Sequence, residues 1–350
     1  MKNTRKLFTK LTRTGGVALL LATTLLLGCK KKEEVPLPAR VTRNNIVQLA
    51  QADARFSTLV AALNKTGLAT TLAQPGPFTV FAPTNDAFAA LPAASPFNNA
   101  TEINAITEQA TINDLRNTLL YHVLGSWVPA TNIANGSSNS ITARLAPIYT
   151  TRIYLSKNSA GVFINGNSKV VATDIVGSNG IIHAIDRVLQ APTRTIGQLV
   201  AASAAASPAQ FTLLSQALNR PVARDLIAKS VLDVSGADPE NNANQTVFAP
   251  TDAAFNALLA DLGKTSLADV DDATLLAILQ RHIIPGRRAF STDLVSGNVN
   301  AYTGAVTITV NGGTATVRAP GNGSNNANVI IPNVLATNGV VHVIDRVLRP

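Results

Sequence analysis

The chain contains one stretch of sequence twice, in three pieces that keep their order. Thr79-Val80-Phe81-Ala82-Pro83-Thr84-Asn85-Asp86-Ala87-Phe88 returns as Thr246-Val247-Phe248-Ala249-Pro250-Thr251-Asp252-Ala253-Ala254-Phe255. Leu115, Leu119 and His122 return as Leu275, Leu279 and His282. The run from Asn179 to Leu189, with His183 and Asp186 inside it, returns from Asn338 to Leu348 with His342 and Asp345. The spacing, roughly 160 residues, is that of a whole domain and not of a short solenoid repeat. Whatever fold the chain adopts must therefore be buildable twice, and 350 residues give each copy room for its own core.

Each copy follows one plan. An amphipathic helix comes first, marked by Ile46, Leu49, Phe56, Leu59 and Leu63 in the first copy and by Leu199, Phe211, Leu214 and Leu218 in the second. A short apolar strand follows, at 79–81 and 246–248. Proline then breaks the chain, and Thr84 or Thr251 can N-cap a helix carrying Asp86 or Asp252 in its first turn. A further helix carries the His122 or His282 stripe. The last third alternates as strands do, at Ile153/Leu155, Val162/Ile164 and Val306/Ile308/Val310, with Asn165-Gly166 and Asn311-Gly312 as hairpin turns. Helices first and antiparallel strands later argue an α+β domain. Phe81, Phe88, Phe248 and Phe255 are its expected core anchors. The duplication predicts two independently folding domains that meet between Leu189 and Thr195.

The Thr-Val-Phe-Ala-Pro-Thr block, the mid-domain Tyr121-His122 and the terminal Asn-Gly-x-x-His-x-Ile-Asp-Arg-Val-Leu block resemble the fasciclin (FAS1) domain. The resemblance covers about 44–190 and 195–350. It implies a small β-sandwich or wedge with helices packed on it, and a non-enzymatic role in adhesion at the cell surface through protein or glycan contacts. Copy two departs from the pattern, with Arg281-His282 in place of Tyr121-His122.

The formal charge of +9 invites a nucleic-acid reading until it is located. Residues 1–28 hold Lys2, Arg5, Lys6, Lys10 and Arg13 and no acid, and Lys30, Lys31, Lys32, Arg40 and Arg43 outnumber Glu33 and Glu34 in 29–43. The rest of the chain is nearly balanced and carries no broad field for phosphates, so no nucleic-acid partner is expected. Gly15 to Leu27 is uncharged and mostly apolar, too short for a span of about 20 residues but suited to a signal-peptide core. It runs into Gly28-Cys29, the sole cysteine. This resembles a bacterial lipobox, which implies cleavage between Gly28 and Cys29, acylation of Cys29 (palmitate or a similar chain) and a charged tether over 29–43. With no Asp after the cysteine, the resemblance implies an outer-membrane lipoprotein, either displayed at the surface, with its charged tether as the export tag, or facing the periplasm.

The chemistry-bearing residues are few. His122 and His282 sit on apolar helical stripes, either bonded to a neighbouring loop to fix the helix on the sheet or serving as a base or ligand. His183 and His342 alternate with apolar residues on one face of the last strand, and Asp186 and Asp345 fall on the other, a poor arrangement for a dyad. Asp186-Arg187 and Asp345-Arg346 are expected to make structural pairs with neighbouring strands or loops. No nucleophile, paired carboxylates, phosphate loop or metal-ligand spacing recurs, so no catalytic residue, metal or other cofactor is expected. Asp269, Asp271 and Asp272 precede a helix and suit its N-terminal dipole better than calcium. Tyr121, His122, Arg281, His282, Arg287 and Arg288 are the candidates for partner contact, Tyr121 for its amphipathic ring and Arg287-Arg288 as a loop pair for an anion. A passive spacer of two stacked domains and, with less support, a lipid-anchored hydrolase are the alternatives.

Overall fold

The computed structural model describes residues 44–133, 139–142, 152–223, 226 and 244–350. The expected signal peptide, with Gly28, Cys29 and the expected tether over 29–43, lies outside the described residues. The first copy runs α1 (Ile46–Ala52), α2 (Ser57–Lys65), α3 (Leu68–Leu72), β1 (Phe78–Pro83), α4 (Asn85–Ala89), α5 (Ala100–Ala105), α6 (Gln109–Leu120), β2 (Val123–Leu124), β3 (Asn139–Thr142), β4 (Arg152–Asn158), β5 (Gly161–Ile164), β6 (Ser168–Val176) and β7 (Gly180–Ile185). The second runs α7 (Ile196–Ala204), α8 (Thr212–Asn219), β8 (Gln245–Pro250), α9 (Asp252–Asp261), α10 (Asp272–Arg281), β9 (Ile283–Ile284), β10 (Gly297–Asn300), β11 (Ala305–Asn311), β12 (Thr314–Arg318), β13 (Ala327–Ala336) and β14 (Gly339–Ile344).

Both copies build the same sheet. Its order is β2-β1-β7-β6-β5-β4-β3 in the first, and β9-β8-β14-β13-β12-β11-β10 in the second. The first strand of each copy pairs in parallel with the last, Phe81 opposite His183 and Phe248 opposite His342. All other pairs are antiparallel. Register shifts in β6 and β13 curl the sheet. In each strand the second of two shifts holds a residue with positive φ, Asp174 at 59° and its counterpart Asn333 at 61°. The curl gives each domain two apolar cores. Helices cover one face of β1 and β7, where Val80, Ala82, Phe88, Leu115 and Leu119 meet. The opposite face closes on β4 and β5 around Phe81, Tyr121, Ile153 and Ile164. The four phenylalanines are thus anchors, but in pairs: Phe81 and Phe248 lie between the sheet halves, Phe88 and Phe255 under the helices.

The repeated polar residues explain themselves locally. Thr84 and Thr251 do N-cap their helices, accepting from Ala87 N at 3.3 Å and Ala254 N at 3.2 Å. The residue after each threonine has a second task that sequence did not disclose. Helices α2 and α8 have phenylalanine at the N-cap position and no side-chain cap of their own. Asn85 Oδ1 accepts from Thr58 N at 3.0 Å, and the Asp252 carboxylate accepts from Thr212 N and Leu213 N at 3.0 and 2.7 Å. These are caps supplied across space. They fasten one helix to the next at the orphan N–H groups. Replacing Asp252 with Ala is expected to destabilise the chain by about 1–2 kcal/mol, the range of a lost cap, read as a lower urea midpoint at unchanged slope. An unchanged midpoint would mean water caps α8 equally well.

The single opening helix expected in each copy is two. In the first, α1 ends at Asp53, whose carboxylate turns back to accept from Arg55 N at 3.0 Å and starts a new turn. In the second, Pro208 lies between α7 and α8, where no intrahelical N–H could be donated. Asp269 and Asp271 cap helical turns as expected, Asp271 accepting from Thr274 N at 2.9 Å. No group of His, Cys, Asp and Glu suited to a metal occurs among the described residues. Nor, among them, is any helix long and apolar enough to cross a membrane.

The domains meet through side chains as well as through the chain. Strand β4 was expected to alternate, yet Ile153, Tyr154, Leu155 and Ser156 are all buried. Its outer face is covered by the second domain. Phe290 packs on Tyr154 with ring centroids 5.6 Å apart, and the Arg288 guanidinium stands 4.7 Å from the Tyr154 ring centre. The corresponding outer face of β11 is not covered, and there burial alternates from Ala305 to Ile308.

Candidate functional site

The four histidines are structural. His122 Nδ1 donates to Thr118 O at 2.7 Å and its Nε2 accepts from Leu189 N at 2.8 Å. His282 repeats this with Ile278 O at 2.7 Å and Leu348 N at 2.9 Å. Each ring ties the end of a helix to the chain just after the last strand. His183 and His342 carry their proton on the other nitrogen. Nε2 donates to Val128 O or Ala289 O at 2.9 and 2.8 Å, and Nδ1 accepts from the N–H of Asp174 or Asn333 at 3.3 and 3.4 Å. They hold the bulge of the curled sheet. Both nitrogens of each ring are used by neutral partners, so burial favours the uncharged form. It pulls His122, His282 and His342 down to about 4, and lowers His183 as well. None of the four offers a free nitrogen to a substrate or metal. Asp186 and Asp345 lie apart from them, accepting from Lys169 N and Asn328 N at 2.7 Å. The expected pairing is therefore half right: the carboxylates bind the neighbouring strand, whereas the Arg187 and Arg346 side chains have no partner among the described residues.

Most of the expected contact residues are interior. Tyr121 is 1% exposed. Its hydroxyl donates to Arg152 O at 3.0 Å and accepts from Asn165 Nδ2 at 3.0 Å, and burial pushes the phenol up. Arg281 does not snorkel outward. It is buried against Gly304 and donates from Nη1 to Ala305 O at 3.0 Å. Arg152 and Ala305 begin β4 and β11, so the two unlike residues perform one task, tying the helix end to the same strand. That is why tyrosine and arginine exchange there, and why neither, with His122 and His282, is a surface contact. Arg288 is buried too, donating from Nη1 to Ala336 O and Gly339 O at 2.8 and 2.9 Å and from Nη2 to Thr337 O at 3.1 Å. Only Arg287 of the six is exposed, its Nη2 donating to Asp293 O at 3.3 Å.

The reason Arg288 and not Arg287 turns into the junction lies in the repeated Thr79/Thr246. Thr79 Oγ1 donates to Ser126 O at 2.6 Å and accepts from Val128 N at 2.9 Å. Thr246 Oγ1 does the same with Arg287 O at 2.7 Å and Ala289 N at 2.9 Å. Each clamp presents the residue between its two partners, Trp127 in the first domain and Arg288 in the second. The sequence offset slips by one here, which hid the equivalence. Arg288 docks on the first domain. Trp127, the only tryptophan, sits at the matching place on the first domain and is 43% exposed. The bulge residues differ in the same sense. Asp174 accepts from Ala130 N at 3.0 Å within its own domain. Asn333 accepts from Ser291 N at 2.7 Å and spends its NH₂ on Gly166 O at 3.0 Å and Asn167 Oδ1 at 3.1 Å across the junction. One face thus exists twice, used once as a protein contact and once left open around Trp127.

Beside the junction lies an open cleft of about 500 Å³. Its floor is made by Asn165 and Asn167 of the first domain and Asn333 of the second, and its wall by the segment from Arg187 to Arg194. The floor amides are engaged: Asn165 with Tyr121 and the Tyr154 N–H, Asn333 as described. In the wall, the side chains of Arg187, Gln190, Thr193 and Arg194 are exposed and make no bond among the described residues. Among the described residues, no carboxylate and no aromatic ring lines the cleft.

Comparison with known proteins gives one consistent answer. The fasciclin domain model matches residues 54–191 and again 210–350. Protein sll1483 of Synechocystis is 33% identical over 163 residues, covering 47% of this chain and 82% of that protein. The transforming growth factor-beta-induced protein ig-h3 of Sus scrofa is 35% identical over 147 residues, 42% of this chain but 19% of that protein. Among solved structures, a FAS1 domain pair from the insect cell adhesion molecule Fasciclin I aligns over 86% of this chain and 98% of its own, at 18% identity and a TM-score of 0.35.

Proposed function

The chain belongs to the fasciclin-domain family, whose members are typically adhesion or binding proteins, and from that premise we propose that it is a non-enzymatic adhesion protein of the outer membrane. In this reading the acylated Cys29 holds it to the bilayer, 29–43 is the tether, and the two domains meet a protein or glycan at the cell surface. A single fatty chain gives only marginal membrane binding, so the lipobox-type processing, which adds several chains to one cysteine, suits a stable anchor.

The observation that carries the contact itself is Trp127. Tryptophan is costly to leave in water and is enriched at interface centres. Here it is held outward by a side-chain clamp, at the position that its counterpart Arg288 already uses to grip another domain. A face that serves one protein contact is suited to a second. Immobilised full chain is expected to retain cells, and Trp127→Ala to weaken retention at least fivefold without moving the melting temperature. Retention unchanged by that substitution removes Trp127 from the contact. No retention by either chain favours the passive spacer. Anchoring is tested apart: cells fed an alkyne fatty acid should label the wild-type chain and not Cys29→Ser, and equal labelling would sink the lipid anchor.

A further inference from the structure

We propose that the cleft between the domains is a binding site for an acidic saccharide, a uronate-bearing oligosaccharide. The inference rests on the adhesion reading above and names a ligand for a different surface than Trp127. The first ground is charge. Each domain is close to neutral, yet among the described residues Arg187 and Arg194 both line this cleft with no partner and with no acid beside them. Free guanidinium groups bind carboxylates through paired N–H donors. The lining is drawn from both copies, with Asn333, Val334 and Leu335 of the second lying beside Arg187 and Arg194 at the end of the first, so the site is made by their junction.

The second ground is the kind of wall between the two cations. Gln190 and Thr193 line the cleft, are exposed and make no side-chain bond among the described residues, so an amide and a hydroxyl stand ready for sugar hydroxyls. Leu91, Pro92 and Leu335 give the apolar surface that the C–H face of a pyranose needs. Among the described residues no aromatic ring is in the lining, which leaves nothing on which a nucleobase would stack. Its volume of about 500 Å³ falls in the ordinary range of small-ligand pockets, about 300–1,000 Å³. The third ground is rigidity. The floor amides are already bonded to one another and to backbone across the junction. The free donors alone remain to meet a ligand, and the floor does not have to be reorganised to admit it.

The test is calorimetric titration of the full chain at low salt with trigalacturonate, its fully methyl-esterified form, and succinate. The uronate is expected to bind, and the ester and succinate at least tenfold more weakly. Arg187→Gln with Arg194→Gln should weaken uronate binding at least tenfold, and the paired lysine variant should restore part of it. Among the described residues these side chains hold no other part of the fold, so the melting temperature should not move. Lys30–Lys32 form a second cationic stretch, so uronate binding that survives the paired glutamine variant places the ligand there and overturns the cleft. Equal binding of the ester overturns the carboxylate, and equal binding of succinate overturns the saccharide. Absence of uronate binding while cells are still retained overturns this inference alone. Absence of both sinks the adhesion reading as well.

Discussion

Lowering the pH from 7 to 5 is expected to remove on the order of 5 kcal/mol of folding stability, with about three protons taken up on unfolding near pH 5. The argument starts from the buried histidines. Folded, His122, His282 and His342 titrate at about 4, and unfolded they return to about 6.5. A depressed folded value means that the unfolded chain binds more protons between these limits. Stability is therefore full above pH 6.5 and falls as the pH drops towards 4, each ring losing on the order of 2 kcal/mol by pH 5. His183 acts in the same direction. Asp53 and Asp271 are held below the ordinary carboxylate range by hydrogen bonds to the charged form, and their loss falls below this window. Asp293 opposes the trend. Burial raises it, so its protonation on acidification relieves a cost and offsets part of the decline. Urea midpoints at pH 7, 6 and 5 decide the matter. A flat profile would mean that the rings meet the proton without unfolding, and that the paired hydrogen bonds described for them do not hold.

Much of this was legible. The duplication, the α+β class, the N-capping threonines and the phenylalanine anchors rest on local patterns that repeat, and local patterns survive in a sequence. What did not show depends on what a residue meets far along the chain. Arg287-Arg288 looks like a solvated pair until a second domain lies beside one of them. Tyr154 breaks the alternation of β4, but an exposed tyrosine and one under another domain read alike. Tyr121 and Arg281 differ in chemistry, yet geometry shows that they reach corresponding carbonyls, Arg152 O and Ala305 O, which a hydroxyl or a guanidinium can satisfy equally. Asn85 and Asp252 cap helices about 27 and 40 residues before them, a link with no sequence period. The role of Trp127 was the least legible. Its signal was present, a lone tryptophan after a short strand, but it gained meaning only from its alignment with Arg288.

Because the domains share a buried cation, Arg288→Ala is expected to cost on the order of 3–5 kcal/mol and to turn one unfolding transition into two. The guanidinium is desolvated, which pulls it below its ordinary value, and it satisfies carbonyls at 336, 337 and 339 where β13 turns into β14. Truncation leaves those buried acceptors without their donor, at about 1–3 kcal/mol for each that water cannot reach. It also strips the cation from the Tyr154 ring. Yet Arg288 serves its own domain as well as the junction, so its loss alone does not prove coupling. Gly166 separates the two effects. It belongs to the first domain, lies at φ +68°, and a Cβ there would stand 2.6 Å from Phe290 Cβ and 2.8 Å from the Phe290 ring. Gly166→Ala therefore adds strain in its own turn and pushes the second domain away, while every bond inside that domain survives. If the two copies fold as one body, calorimetry of Gly166→Ala should show the second domain melting at its own lower temperature. A single sharp transition lowered only slightly would mean that the junction follows the domains and does not stabilise them. In that case the sequence expectation of two independently folding copies would stand, with the shared cation an accommodation within the second copy.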